Sequence, residues 1–117
     1  MIVSIGEFKL KKLTLLPEFL KLSKQIYNQA QNSKGNLKAQ LDNKGIKTFY
    51  SFTHWDSMED MLAFVHTDFH GNALKETERL CKEVSFLHYE TDEFVDLTSA
   101  KEALKKNSQT RVIKYES

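Results

Sequence analysis

Four histidines are the residues of this sequence best suited to proton transfer or metal binding: His54, His66, His70 and His88. A neutral imidazole titrates near pH 7, so it can exchange a proton under ordinary conditions. His66 and His70 are four residues apart, which places both on one face of an unbroken helix, as in a metal pair. Because no Glu completes a known metal motif around them, the alternative is that His66 is an exposed helical residue.

His70 is the strongest candidate for a general base. It follows a predicted break in the second helical region, near Asp68 and Gly71. A ring at that point would lie over the mouth of a pocket between the helices and the sheet, where it can abstract or donate a proton. The alternative is a structural role, in which His70 caps the second helical segment or bonds a backbone carbonyl.

Several side chains on predicted strands are candidate ligand contacts. His54 and His88 share strand parity with aromatic residues, so with Tyr50 they either line an internal cavity or lie at an interface as bonded structural groups. Trp55 ends its strand, where it walls a pocket or anchors the next helix. The predicted substrate-binding residues are Tyr50, His54, Trp55, His66 and His88.

The sequence lacks the familiar devices for holding a cofactor. It contains no glycine-rich phosphate loop, nucleophile elbow, Walker motif or CxxC pair. Cys81 has no adjacent His and is flanked by Lys82 and Glu83, so nothing marks it as an activated thiolate. We therefore predict no bound cofactor and no metal.

The charge balance argues against nucleic-acid and membrane partners. Lys and Arg number 17 and Asp and Glu 16 in a chain of 117 residues, which gives no general attraction to phosphates. No segment is long and apolar enough for a membrane span or a signal peptide. A single cysteine cannot build a disulfide framework, so a reducing compartment is expected. These features predict a cytoplasmic protein with one domain over residues 1–117.

Hydrophobic periodicity predicts the elements that position these residues. Strands are expected at 2–13, 37–42, 46–55 and 84–91. Helices are expected at 17–32, at 57–81 in two segments, and at 99–107, with a candidate fifth strand at 111–115. The order predicts an α+β, ferredoxin-like βαββαβ domain, with a four-stranded antiparallel sheet, two main helices on one face and a C-terminal extension.

The second face of the predicted sheet is also apolar. Tyr50 and Phe52 alternate with Phe49 and Trp55 along one strand, so both faces of that strand need cover. The simplest cover is an identical sheet related by a two-fold axis. The sequence therefore predicts a homodimer that packs through the open face.

The region from 46 to 104 resembles the dimeric α/β-barrel superfamily, which includes antibiotic-biosynthesis and heme-degrading monooxygenases. The resemblance rests on four local features: Trp55-Asp56-Ser57 at a strand-to-helix junction, Ala63-Phe64 in the helix, His70 one turn later, and His88-Tyr89 in the final strand. It implies the same dimeric fold, a His70 that matches the histidine of uncharacterised members, and cofactor-independent chemistry as in some members. Because the fold has several unrelated activities, it does not fix a reaction.

Heme degradation can be tested within the sequence. In the heme-degrading members a helical Trp and an axial His follow the junction, and those positions correspond here to Phe64 and Leu74. A leucine has no lone pair for iron, so this activity is disfavoured.

Three functions follow, of which the first is monooxygenase-like oxidation or isomerisation of a small aromatic or quinol-like molecule, with His70 as base. The second is a non-catalytic, structural dimer that binds a small apolar ligand or another protein, and heme binding is the third. An enzyme should gather at least two titratable groups around one enclosed apolar volume, whereas a simple binder need not.

Overall fold

The computed structural model describes residues 1–107 and 109–115, with only the backbone described at positions 68 and 69. The strands are β1 (Ile2–Leu10), β2 (Asn36–Lys44), β3 (Thr48–Trp55), β4 (Cys81–Glu90) and β5 (Arg111–Lys114). The helices are α1 (Leu16–Gln31), α2 (Met58–Val65), α3 (Asp68–Leu80) and α4 (Leu97–Lys106), and a short 3-10 helix (Leu13–Leu15) precedes α1. No helix in the described part of the chain has the length and hydropathy needed to cross a membrane.

The sheet is antiparallel and has the strand order β2-β3-β1-β4-β5. Its first four strands have the arrangement of the βαββαβ fold, so the predicted ferredoxin-like topology is confirmed. The sheet has five strands rather than four, because the C-terminal tail returns and pairs with β4 from Glu83 to Phe86. The candidate fifth strand predicted at 111–115 is therefore part of the sheet.

Helices α1, α2 and α3 cover one face of the sheet, which we call the helix side. Near one end of the sheet, Ile2 and Trp55 pack with Met61 and Phe64 of α2. Near the other end, Phe8 and Phe49 pack against Phe19 of α1. The prediction that both main helices lie on one face is confirmed.

The middle of the helix side has small side chains where its two ends have large ones. The cross-strand pairs between β1 and β3 run Ile2 with Trp55, Ser4 with Thr53, Gly6 with Ser51, and Phe8 with Phe49. Paired residues on antiparallel strands project to the same face. Two pairs of large residues therefore hold the helices away from four small residues, which we call the floor: Ser4, Gly6, Ser51 and Thr53.

Helix α4 covers the opposite face, which we call the α4 side. Ala100 and Leu104 of α4 are buried against a cluster of large strand residues that includes Val3, Ile5, Tyr50, Phe52 and Leu87. The sequence predicted that this face is bare and packs against a second copy of the chain. At the centre of the face this prediction is wrong, because α4 of the same chain covers it. A homodimer remains a prediction that rests on the superfamily resemblance.

Local signals set the helix boundaries. Pro17 lies in the first turn of α1, where its missing N–H costs nothing. Ser57 caps α2 by accepting a hydrogen bond from the Asp60 N–H at 3.2 Å. Helix α4 begins two residues earlier than predicted, with Asp96 as its N-cap, whose carboxylate accepts from the Ser99 N–H at 2.7 Å.

The break between α2 and α3 lies at His66 and Thr67. Thr67 caps α3 by accepting a hydrogen bond from the His70 N–H at 3.2 Å, and Gly71 lies within α3 rather than at a break. His66 and His70 are therefore not on one unbroken helix, and the alignment expected of a metal pair is wrong. The side chains of Asp68 and Phe69, which entered the sequence interpretation, lie outside the described residues.

Candidate functional site

A cavity of about 620 Å³ lies between the floor and the three helices of the helix side. Its volume is in the range of ligand pockets, roughly 300–1,000 Å³. The floor supplies the hydroxyls of Ser4, Ser51 and Thr53, and α1 contributes Ile26 and Tyr27 to the wall. The cavity exists because small residues on the strands face helices that are held off by larger neighbours.

His70 lies in the cavity wall, on the first turn of α3. Its ring packs edge-on against Phe64, with centroids 5.1 Å apart. Nδ1 is buried and has no hydrogen-bond partner among the described residues. Burial lowers the pKa of His70, and the backbone of Val65 acts in the opposite direction.

The lowered pKa keeps the His70 imidazole neutral at pH 7, which is the form that can accept a proton. Since Nδ1 is enclosed, Nε2 is the nitrogen left to accept a proton, and no hydrogen bond among the described residues involves it. The geometry therefore fits proton abstraction from a ligand in the cavity.

Trp55 combines the two roles considered for it. Its indole is buried and stacks on Phe64 at a centroid distance of 5.3 Å, and its N–H donates to the Thr53 hydroxyl at 3.0 Å. It also borders the cavity. Trp55 thus anchors α2 and, through its ring and its bond to Thr53, fixes the shape of the cavity end near His70.

His88 lies at the mouth of the cavity. It pairs across the sheet with Ser4 and so projects to the helix side, where it is exposed. His66 is exposed at the C-terminus of α2 and is not among the residues that line the cavity. The structure therefore brings His70, Trp55 and His88 to one cavity and leaves His66 outside it.

Tyr50 faces away from the cavity, although its backbone borders it. Its hydroxyl donates to Glu7 at 2.7 Å on the α4 side, and the Lys101 ammonium lies 4.3 Å from the ring centre. Burial, followed by the Glu7 carboxylate, raises the pKa of Tyr50 to about 12. The predicted contact between Tyr50 and a ligand in the cavity is therefore not supported, because the side chain lies on the other face of the sheet.

His54 also lies on the α4 side, fully buried. Its Nε2 accepts a hydrogen bond from the Val95 N–H at 3.0 Å, and the rings of Phe52 and Phe94 lie 4.8 Å and 4.9 Å from its own. Burial lowers the pKa of His54, and the charge of Lys38 acts in the same direction. His54 and His88 are on opposite faces, so the cavity that they were predicted to share does not form.

Other reactive groups have ordinary structural roles. Burial raises the pKa of the Cys81 thiol to about 12, so this thiol is not an activated nucleophile. Within the described part of the chain, no group of three or more His, Cys, Asp or Glu side chains has the proximity needed to hold a metal ion.

Sequence reasoning missed the floor and the tail residues at the mouth. A signal for the floor was present, because Ser4 and Gly6 interrupt one parity of β1 just as Ser51 and Thr53 interrupt one parity of β3. Arg111 was not predictable in this way, since its place depends on the pairing of β5 with β4.

The fold is shared with several solved structures. A proposed antibiotic biosynthesis monooxygenase from Deinococcus radiodurans matches with a TM-score of 0.75 at 17% identity, over 83% of this chain and 98% of that one. Rv0793 from Mycobacterium tuberculosis matches with a TM-score of 0.73 at 10% identity, over 81% and 98%. A variant of SnoaB, a cofactor-independent oxygenase from Streptomyces nogalater, matches with a TM-score of 0.70 at 7% identity, over 80% and 95%.

No protein-family model matches the chain, and no curated protein matches it by sequence. At these identities the structural matches establish the fold and leave the activity open. The chain therefore has the fold of the antibiotic-biosynthesis-monooxygenase-like proteins, as the resemblance in the sequence indicated.

Proposed function

We propose that this protein is a monooxygenase-like enzyme that oxidises a small, planar, quinol-like molecule in the helix-side cavity, with His70 as the general base. The observation that carries the proposal is the placement of a half-buried imidazole, whose enclosed Nδ1 has no partner among the described residues, in the wall of a cavity of about 620 Å³. The fold shared with SnoaB, a cofactor-independent oxygenase, supports the same class of chemistry.

The first step is removal of a proton from an acidic C–H of the ligand by His70. Phe64 keeps the ring of His70 in place. The resulting carbanion is electron-rich and forms a C–O bond with O₂, and the peroxide takes the proton back from the imidazolium to become a hydroperoxide. Loss of water then breaks the O–O bond and leaves a carbonyl, so that CH₂ and O₂ become C=O and H₂O.

His70→Ala should abolish this activity, because a positioned base contributes roughly 10²–10⁴-fold to a proton transfer. The measurement is oxygen uptake with anthrone or 1,8-dihydroxyanthrone, both of which carry an acidic CH₂, corrected for autoxidation in buffer. His66→Ala is the matched control, since His66 is a nearby histidine that is exposed and does not line the cavity. We expect uptake by the wild type and by the control, and at least a hundredfold loss in His70→Ala. Unchanged uptake in His70→Ala would remove His70 from the mechanism.

A non-catalytic ligand binder is the second candidate. The observation that favours it is the position of Tyr50 and His54, two of the proposed orienting groups, on the opposite face. Fewer polar groups then converge on the cavity than an enzyme of the first kind would need. Binding of these compounds without oxygen uptake or spectral change would favour this alternative, and spectral change without oxygen uptake would indicate isomerisation.

The homodimer is proposed with the enzyme. The shared fold supports it, because the superfamily that the sequence resembles is named for its dimeric barrel, although α4 already covers the centre of the face expected to pair. A native mass spectrum at twice the chain mass would support the dimer, and a bare monomer would exclude it.

A further inference from the structure

The charges around the cavity are one-sided. The described residues that line it include Arg111 and the titratable imidazoles of His70 and His88, but neither Asp nor Glu. An anionic ligand group would therefore meet no carboxylate of the described lining. A carboxylate or sulfonate could enter without like-charge repulsion, whereas a cationic group would have nothing to pair with.

Arg111 is placed on the cavity side by strand pairing. It lies opposite Phe86 on β4, and paired residues on antiparallel strands share a face. Phe86 packs edge-on against Phe8, with centroids 5.7 Å apart, so this face is the helix side. Because β5 is the edge strand and Arg111 is exposed, its guanidinium lies at the mouth of the cavity rather than in its interior.

The two arginines of the chain differ in their pairing. Arg79 contacts Glu18 at 2.5 Å and Glu76 at 2.6 Å, so its charge is already neutralised on the surface. Arg111 forms no ion pair within the described residues, which omit Ser108, Glu116, Ser117 and the side chain of Asp68. A guanidinium offers a planar fork of donors that matches a carboxylate or sulfonate.

Polar side chains next to Arg111 extend the same rim. His88 is two residues beyond Phe86 on β4 and projects to the same face, and Gln109 precedes β5 by two residues. All three side chains line the cavity mouth. The interior beyond them is walled by apolar residues such as Phe19, Ile26 and Phe64, so one end of the cavity is suited to an acidic group and the other to a ring system.

We propose that the cavity selects ligands that carry one acidic group, which Arg111 binds at the mouth while the aromatic body extends inward toward His70. The inference rests on the cavity assigned above as the ligand site, but not on the chemistry proposed there. It narrows the substrate class from aromatic or quinol-like molecules to aromatic acids.

The test uses two dyes with the same ring framework, 8-anilinonaphthalene-1-sulfonate and N-phenyl-1-naphthylamine, which differ in the sulfonate. Fluorescence titration gives Kd for each dye with the wild type, Arg111→Gln, Arg111→Lys and the control Arg79→Gln. We expect Arg111→Gln to raise the Kd of the sulfonated dye about tenfold, which corresponds to the loss of one charge-assisted contact of ~1.4 kcal/mol. The Kd of the neutral dye should not change. Arg111→Lys should keep part of the preference, and Arg79→Gln should keep all of it.

Two further variants locate the dyes and separate this inference from the proposed reaction. Ser51→Leu fills the floor and should weaken both dyes in parallel, whereas His70→Ala should leave the preference for the sulfonate intact. If Arg111→Gln weakens the binding of both dyes equally, or weakens the binding of neither, the inference is overturned, even if His70 proves essential for turnover. No effect of Ser51→Leu would also overturn it, because the dyes would then bind elsewhere.

Discussion

The two faces of the sheet differ in how their strands are filled. On the helix side, the central pairs are small and leave a cavity of about 620 Å³. On the α4 side, the intervening residues Val3, Ile5 and Phe52 are large, buried and packed against α4. The comparison shows that one alternating strand can supply a ligand site with one parity and a solid core with the other.

The histidines follow the same division. His54, on the solid face, is fully enclosed and accepts a backbone hydrogen bond, so its polar group serves the fold. His70, on the cavity face, has a nitrogen without a partner in the described structure. The three predictions below test this division, from the largest expected effect on stability to the smallest.

Phe52→Ala should cause the largest loss. Phe52 is 1% exposed and at the centre of the α4 side, so truncation leaves a cavity in a packed region and should lower the free energy of unfolding by about 3–5 kcal/mol. Chemical denaturation measures the change, and Phe94→Ala is the control because Phe94 is 57% exposed. A loss below about 1 kcal/mol would show that the α4 side is not the solid core described here.

His54 should make stability depend on pH. Its pKa is lowered from the ordinary value of 6.5, so as pH falls below 6.5 the unfolded chain takes up a proton that the folded His54 resists. Stability contributed by neutral His54 is therefore present above pH 6.5 and lost as pH falls toward 5. Thermal melts between pH 7 and 5 measure this loss.

The variant His54→Gln should flatten that dependence, because its longer amide places an acceptor near the position of Nε2, where it can accept from the Val95 N–H without titrating. His70 has a pKa shifted in the same direction, so chains with and without the His54→Gln substitution are compared in a His70→Ala background. Asp42, Glu83 and Asp96 also have lowered pKa values, but they contribute equally to both chains and cancel in the comparison. An equal dependence on pH with and without His54 would contradict the assignment.

Ser51→Leu should have the smallest effect on stability. Ser51 is the neighbour of Phe52 in sequence but faces the cavity, so the larger side chain enters empty space and the free energy of unfolding should change by less than about 1 kcal/mol. Ligand binding in the cavity should be lost. Denaturation and dye titration on the same samples measure both effects, and a loss of several kcal/mol with dye binding retained would show that the floor is packed.

The sequence allowed us to predict the order of the elements and which strand residues share a face. It did not allow us to predict which face is covered by α1 to α3 and which by α4. Tyr50, Phe52 and His54 were correctly grouped, since alternation is a local property. Their placement under α4 depends on a contact between the C-terminal helix and the first four strands, which no local pattern encodes. The cavity that His54 and His88 were predicted to share does not form, because strand register, which is also non-local, places them opposite Val3 and Ser4 and so on different faces.

The placement of His70 was closer to what the sequence predicted, for a physical reason. A break between two helical segments has local signals, and Thr67 provides one by capping α3 just before His70. Its position beside a cavity was predicted from that break together with the family resemblance. Neither the local signals nor the family resemblance predicted the place of Arg111 at the cavity, since that place depends on the pairing of the four-residue strand β5 with β4.

The floor gives this fold a capacity for divergence. Ser4, Ser51 and Thr53 face empty volume, so substitutions there can reshape what the cavity accepts while the α4 side keeps the chain folded. Gly6 is the most constrained of the four, because an added Cβ would lie 3.0 Å from the Ser51 hydroxyl and 3.1 Å from the ring of Phe8. Three adjustable positions around one constrained glycine would let related chains acquire new ligands by single substitutions with little cost in stability.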